Sequence, residues 1–102
     1  MNIQTEQSNL TIPTLNDACR QRLRKLRESM GLSRPKFADM LGIPSTTLKN
    51  YELNYREIGG GTLLLIAQHS TLASHFHWLT TGQGHDPSAQ MSNQPPEELE
   101  PQ

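Results

Sequence analysis

Leu32-Ser33-Arg34-Pro35-Lys36-Phe37-Ala38-Asp39-Met40-Leu41-Gly42-Ile43-Pro44-Ser45-Thr46-Thr47-Leu48-Lys49-Asn50-Tyr51-Glu52 contains two short helical patterns that meet at a glycine. Ser33 is an N-cap residue, and Pro35 falls in the first turn after it, where a missing N–H costs nothing. Phe37, Ala38 and Leu41 then share the inner face, and Gly42 ends the helix by taking the left-handed conformation. After Ile43-Pro44 a second helix runs from about Ser45 to Leu53, with Leu48, Tyr51 and Glu52 on its inner side. Two short helices joined steeply by about three residues make a helix-turn-helix unit. Ala38 is small where the helices cross, and Ile43 and Leu48 plug the space between them. The opposite side of the second helix carries Ser45, Thr46, Lys49 and Asn50.

On the N-terminal side, Leu15, Cys19, Leu23, Leu26 and Met30 recur at steps of three and four, which predicts one long amphipathic helix ending at Gly31. Thr14 or Asn16 is its expected N-cap. On the C-terminal side, Asn54 suits the left-handed residue that closes a helix. Gly59–Gly61 then lead into a fourth helix whose Leu63-Leu64-Leu65-Ile66-Ala67 is apolar on every side. Leu64 and Ala67 are expected to face the core and Leu65 the far side. A fifth helix, about Leu72 to Thr80, has a stripe of Leu72, Phe76 and Leu79 with Trp78 off it. Leu65 and Trp78 are thus the expected apolar patch of a homodimer interface.

Charge and hydropathy partition in the same way. All nine Lys and Arg residues lie between Thr14 and Gly82 against five acidic ones, so a chain of net charge −1 carries +4 in that segment and −5 outside it. The segment also holds 27 of the 34 apolar residues. One domain over 14–82 is therefore expected, between a disordered segment 1–13 and a disordered acidic tail 83–102. Valine is absent and the domain has only three isoleucines, which favours an all-α fold of five helices. No apolar run approaches the ~18 residues that cross a bilayer, and no secretory pattern opens the chain, so a cytoplasmic, nucleoid-associated protein with no membrane partner is expected. The lone Cys19 agrees with a reducing compartment.

Enzymatic chemistry finds little support. No spacing of Ser, His and Asp suggests a nucleophile with its base, so no catalytic residue is expected. His75 and His77, two apart on one helix, point to different sides, and Cys19 belongs to a core stripe. No metal and no cofactor are expected. Gly59–Gly61 lack the following Lys-Ser/Thr of a nucleotide-binding loop.

The stretch from Leu32 to Glu52 resembles the Xre, or Cro/repressor, family of phage and bacterial regulators. The resemblance extends from about Leu15 to Gly82 and includes the closing Trp78-Leu79-Thr80-Thr81-Gly82. It implies a five-helix lambda-repressor-like DNA-binding domain and a structural ion pair between Arg27 and Glu52. Arg34 stands where the family often has Gln, and Asn54 where it often has Gly. Pro44 replaces the family's polar cap, which moves the start of the recognition helix to Ser45.

On this reading Lys49 and Asn50 are the expected base readers, since Asn pairs with adenine N6/N7 and Lys reaches guanine O6/N7. Ser45 and Thr46 have shorter reach and meet a base edge or a phosphate. Arg34, Lys36, Arg56 and the amides of Gly59, Gly60 and Gly61 are the expected phosphate contacts. Arg20, Arg22, Arg24, Lys25 and Arg27 read as a solvated helix flank with local ion pairs.

The implied function is a dimeric repressor of phage or prophage type on a palindromic operator in double-stranded DNA. At 102 residues there is no room for a self-cleaving second domain, so a Cro-like action set by concentration is expected. The alternative is an antitoxin or adaptor that holds a protein partner and regulates its own operon. Gln83–Gln102 lacks the amphipathic periodicity such a partner-binding tail would show.

Overall fold

A computed structural model describes residues 10–87. Among them are five α-helices, one 3-10 turn and no strand: α1 Ile12–Ser29, α2 Arg34–Leu41, α3 Ser45–Glu52, α4 Gly60–Gln68, a 3-10 turn Ala73–His75, and α5 Phe76–Thr81. The all-α, five-helix architecture is the one expected from the sequence. Residues 1–9 and 88–102, most of the two segments expected to be disordered, lie outside the described residues.

Helix α1 starts before Thr14. Thr11 is its N-cap, accepting from the Thr14 N–H at 3.3 Å, and Pro13 sits in the first turn, where its missing N–H is harmless. Asn16, freed from capping, instead accepts the Ile58 N–H through Oδ1 at 2.9 Å and tethers the segment after α3 to α1. The apolar stripe of α1 buries Cys19, Leu23 and Leu26, with Met30 partly covered and Leu15 left exposed. Burial raises the Cys19 thiol above its ordinary pKa despite the opposing charge of Arg22.

Ser33 caps α2 and Gly42 closes it at φ +81°. Asn54 takes φ +63° beyond the end of α3. Helix α3 packs on α2 and on α1, α2 also touches α4, and the core between them contains Phe37, Ala38, Leu41, Leu48 and Tyr51. The fully buried side chains Leu23, Leu26, Phe37, Leu48, Ile66, Leu72 and Leu79 come from every helix, so the core is continuous. A leucine truncated at such a site costs about 2–5 kcal/mol.

Two expectations about the C-terminal helices are corrected. Helix α4 buries Thr62 and Ile66 and leaves Leu64 68% and Leu65 44% exposed, so Leu64 does not face the core. The Tyr51 hydroxyl, 3.1 Å from the Thr62 hydroxyl deep in the fold, sets this rotation of the helix. Trp78 is only 5% exposed and belongs to the core, which removes it from any surface patch. The reason is geometric: the expected single helix is a 3-10 turn followed by six residues of α-helix, and the tighter turn shifts the phase. Trp78 and Leu79 are both buried where α5 packs on α1. Arg22 of α1 fixes this packing by donating from Nε to the Leu79 carbonyl at 2.9 Å.

Candidate DNA-binding surface

The chain anchors α3 from below before presenting it outward. Glu52, its last residue, has a side chain with no solvent exposure. Arg27 meets it with a fork, Nε to Oε2 at 2.7 Å and Nη2 to Oε1 at 2.9 Å. The third nitrogen of Arg27, Nη1, donates to the Leu32 carbonyl at 2.9 Å. Arg20 reaches the same point, with Nη1 donating to the Glu52 carbonyl at 2.9 Å. Burial opposes ionisation of Glu52, but hydrogen bonds from Arg27 and Arg34 and their charges outweigh it and hold the carboxyl below its ordinary range. The bond to Glu52 in turn raises the pKa of Arg27.

With Leu48, Tyr51 and Glu52 buried, the other side of α3 faces solvent. Thr46 and Lys49 are exposed there, and Ser45 and Asn50 are partly exposed. The structure thus brings Ser45, Thr46, Lys49 and Asn50 to one face. Lys36 on α2 and Arg56 after α3 are also exposed, and the Arg56 guanidinium lies 5.5 Å from the centroid of the Tyr51 ring.

The three glycines divide their labour. A Cβ on Gly59 would meet the Tyr51 hydroxyl at 3.2 Å, so this position is tight, whereas Gly60 and Gly61 face open space. The Gly59 carbonyl accepts from Thr62 and Leu63, while the N–H groups of Gly60 and Gly61 have no partner among the described residues. They lie at the positive end of the α4 dipole.

Arg34 also turns toward the buried carboxylate. Its Nε donates to Glu52 Oε1 at 2.8 Å, and its side chain is 29% exposed. The sequence offers no cue to this bond, because the two residues lie 18 apart and meet only once α2 and α3 are docked. Tyr55, 72% exposed between Asn54 and Arg56, is a surface residue that helical periodicity does not single out. An aromatic beside an arginine just after α3 is the signal the sequence does offer. Of the basic run on α1, Arg20 pairs with Asp17 and Arg24 with Glu28, while Arg22 and Arg27 reach other helices. Leu65 lies on the surface beside Leu64, and Trp78 does not join it.

Among the described residues there is no group of three or more His, Cys, Asp or Glu side chains able to hold a metal ion, and no helix long and apolar enough to cross a membrane. A family model described as Helix-turn-helix matches residues 23–69, from the middle of α1 to the end of α4. No match was found among curated proteins or solved structures. Residues 23–69 are therefore a helix-turn-helix domain of the Cro/repressor type, the domain of a DNA-binding transcriptional regulator.

Proposed function

We propose that the protein is a repressor of phage type that binds a palindromic operator as a homodimer and acts by occupying it. The observation that carries this reading is the outward face of α3. Ser45, Thr46, Lys49 and Asn50 stand there on a helix whose inner face is fixed by the buried Glu52, with Lys36 and Arg56 exposed nearby. Asn50 and Lys49 read base edges in the major groove, and Ser45 and Thr46 meet a base edge or a phosphate. Lys36, Arg56 and the Gly60 and Gly61 amides hold the phosphate backbone, with Gly59 shaping the turn.

Dimerisation is assigned to Leu64 and Leu65, adjacent exposed leucines on α4 that nothing in the described chain covers. Two such patches meeting about a twofold axis bury apolar area and set two recognition helices roughly 34 Å apart, one turn of DNA. Selection from a randomised duplex library tests the proposal. It predicts an enriched inverted repeat with half-sites about one turn apart. Enrichment of a lone half-site would leave DNA reading intact and remove the dimer.

One observation favours a second reading, the adaptor that holds a protein partner. An open apolar groove of about 210 Å³ runs between α1 and α4, lined by Ile12, Leu15, Cys19, Ile58 and Leu63. Selection that enriches no sequence at all would favour this reading.

A further inference from the structure

Residues 53–59, between α3 and α4, carry Arg56 and are held by hydrogen bonds on two sides. On the α3 side, the Asn50 carbonyl accepts the N–H groups of Tyr55 at 2.8 Å and Arg56 at 3.3 Å. On the other side, Asn16 of α1 accepts the Ile58 N–H through Oδ1 at 2.9 Å, and Ile58 is buried. The same Asn16 amide donates from Nδ2 to Asn54 Oδ1 at 3.4 Å, on the residue whose φ is +63°. Asparagine tolerates that left-handed conformation because its short polar side chain can be hydrogen-bonded, so both ends of the Asn16 amide act on one turn. Among the described residues, Asn16 is the one side chain that hydrogen-bonds this segment to α1.

Arg56 lies between the two anchors, with its guanidinium over the Tyr51 ring and no ion pair among the described residues. An arginine on a loose segment loses backbone freedom when it binds a partner, whereas one on a segment fixed at both ends has lost that freedom on folding. Asn16 precedes residues 23–69, the stretch matched by the helix-turn-helix model, so its two bonds are a feature of this chain outside that stretch. Resting on the DNA-binding reading above, we infer that Asn16 is a positioning residue for DNA: it holds residues 53–59 against α1, so that Arg56 meets the double helix already in place. Its effect on binding runs through Arg56 and needs no bond from Asn16 to DNA.

The test is a double-mutant cycle in the full chain, with Asn16→Ala, Arg56→Ala and the two together. Binding to a short duplex of random sequence is read by fluorescence anisotropy over a salt series, and folding is followed by circular dichroism. Alanine is a better helix former than asparagine, so the first change does not weaken α1 as a helix. Arg56→Ala is expected to flatten the slope of log K against log salt by about one unit. Asn16→Ala should weaken binding about three- to tenfold, the scale of one net hydrogen bond. In the Arg56→Ala background it should weaken binding no further. Losses that multiply in the double variant would overturn the proposal whatever the melting temperatures, and so would parent-like binding by Asn16→Ala. If Asn16→Ala does not fold, hydrogen exchange in the parent decides. Coupling is reciprocal, so bound duplex should slow exchange of the Ile58 amide, and unchanged exchange refutes the role of Asn16. A parent that binds no duplex at any salt would defeat the DNA-binding reading itself, an outcome distinct from a parent that binds while the two losses multiply.

Discussion

Arg27 serves stability through the same carboxylate that Arg34 shares at the surface. Removing Arg27 leaves Glu52 buried with a weaker set of partners, and Arg27→Ala is expected to cost about 3 kcal/mol, the scale of breaking a buried ion pair. Thermal melting checks this, and an unchanged midpoint would mean that Arg34 alone suffices. The same site predicts the response to acid. Because the folded chain holds the Glu52 carboxyl below the ordinary value of about 4.3, its contribution is complete above that pH and disappears as the pH falls through the lowered folded value. A Glu52→Gln variant, already destabilised at neutral pH, should show a shallower further decline between neutral and acid pH in a pH series of melts. Equal slopes for parent and variant would place the acid response elsewhere. The Arg27 to Glu52 pair is implied by family resemblance, whereas the Arg34 bond has no sequence signature: periodicity reports which face of a helix is apolar, not which polar side chains meet across two of them.

Among the helices, α2 and α3 are legible in the sequence because each carries punctuation that permits one phase. Ser33, Pro35 and Gly42 bracket the first, and the inner trio of Leu48, Tyr51 and Glu52 is unambiguous in the second. Helix α4 is not, since five consecutive apolar residues give no preferred face, and its buried side is settled by the bond between Tyr51 and Thr62. Helix α5 misleads because a 3-10 turn precedes it and 3.6-residue spacing cannot anticipate that change of pitch. The revised α4 face has a direct consequence. Leu65→Glu should abolish dimerisation while leaving the melting temperature of the monomer nearly unchanged, as should Leu64→Glu, because both side chains are exposed. Analytical ultracentrifugation at micromolar concentration decides it. A parent that is monomeric both alone and on operator DNA would contradict the assigned interface.

At the scale of the molecule, residues 14–82 carry +4 in a chain whose net charge is −1, because negative charge is concentrated outside them. Replacing Glu97, Glu98 and Glu100 by Gln removes three of those charges and should tighten nonspecific DNA binding, most visibly at low salt, where charges separated by more than ~10 Å still interact. Equal affinities in a salt series would show that the acidic tail does not oppose DNA. The proposed recognition of a particular sequence rests on α3 as the reading helix. The decisive measurement is a titration of the parent and Asn50→Ala on the duplex enriched by selection and on a scrambled duplex of equal length. The predicted result is a weakening of about 1–3 kcal/mol on the selected duplex with nonspecific affinity retained. Equal weakening on both duplexes, or none on either, would contradict the assignment of sequence reading to α3.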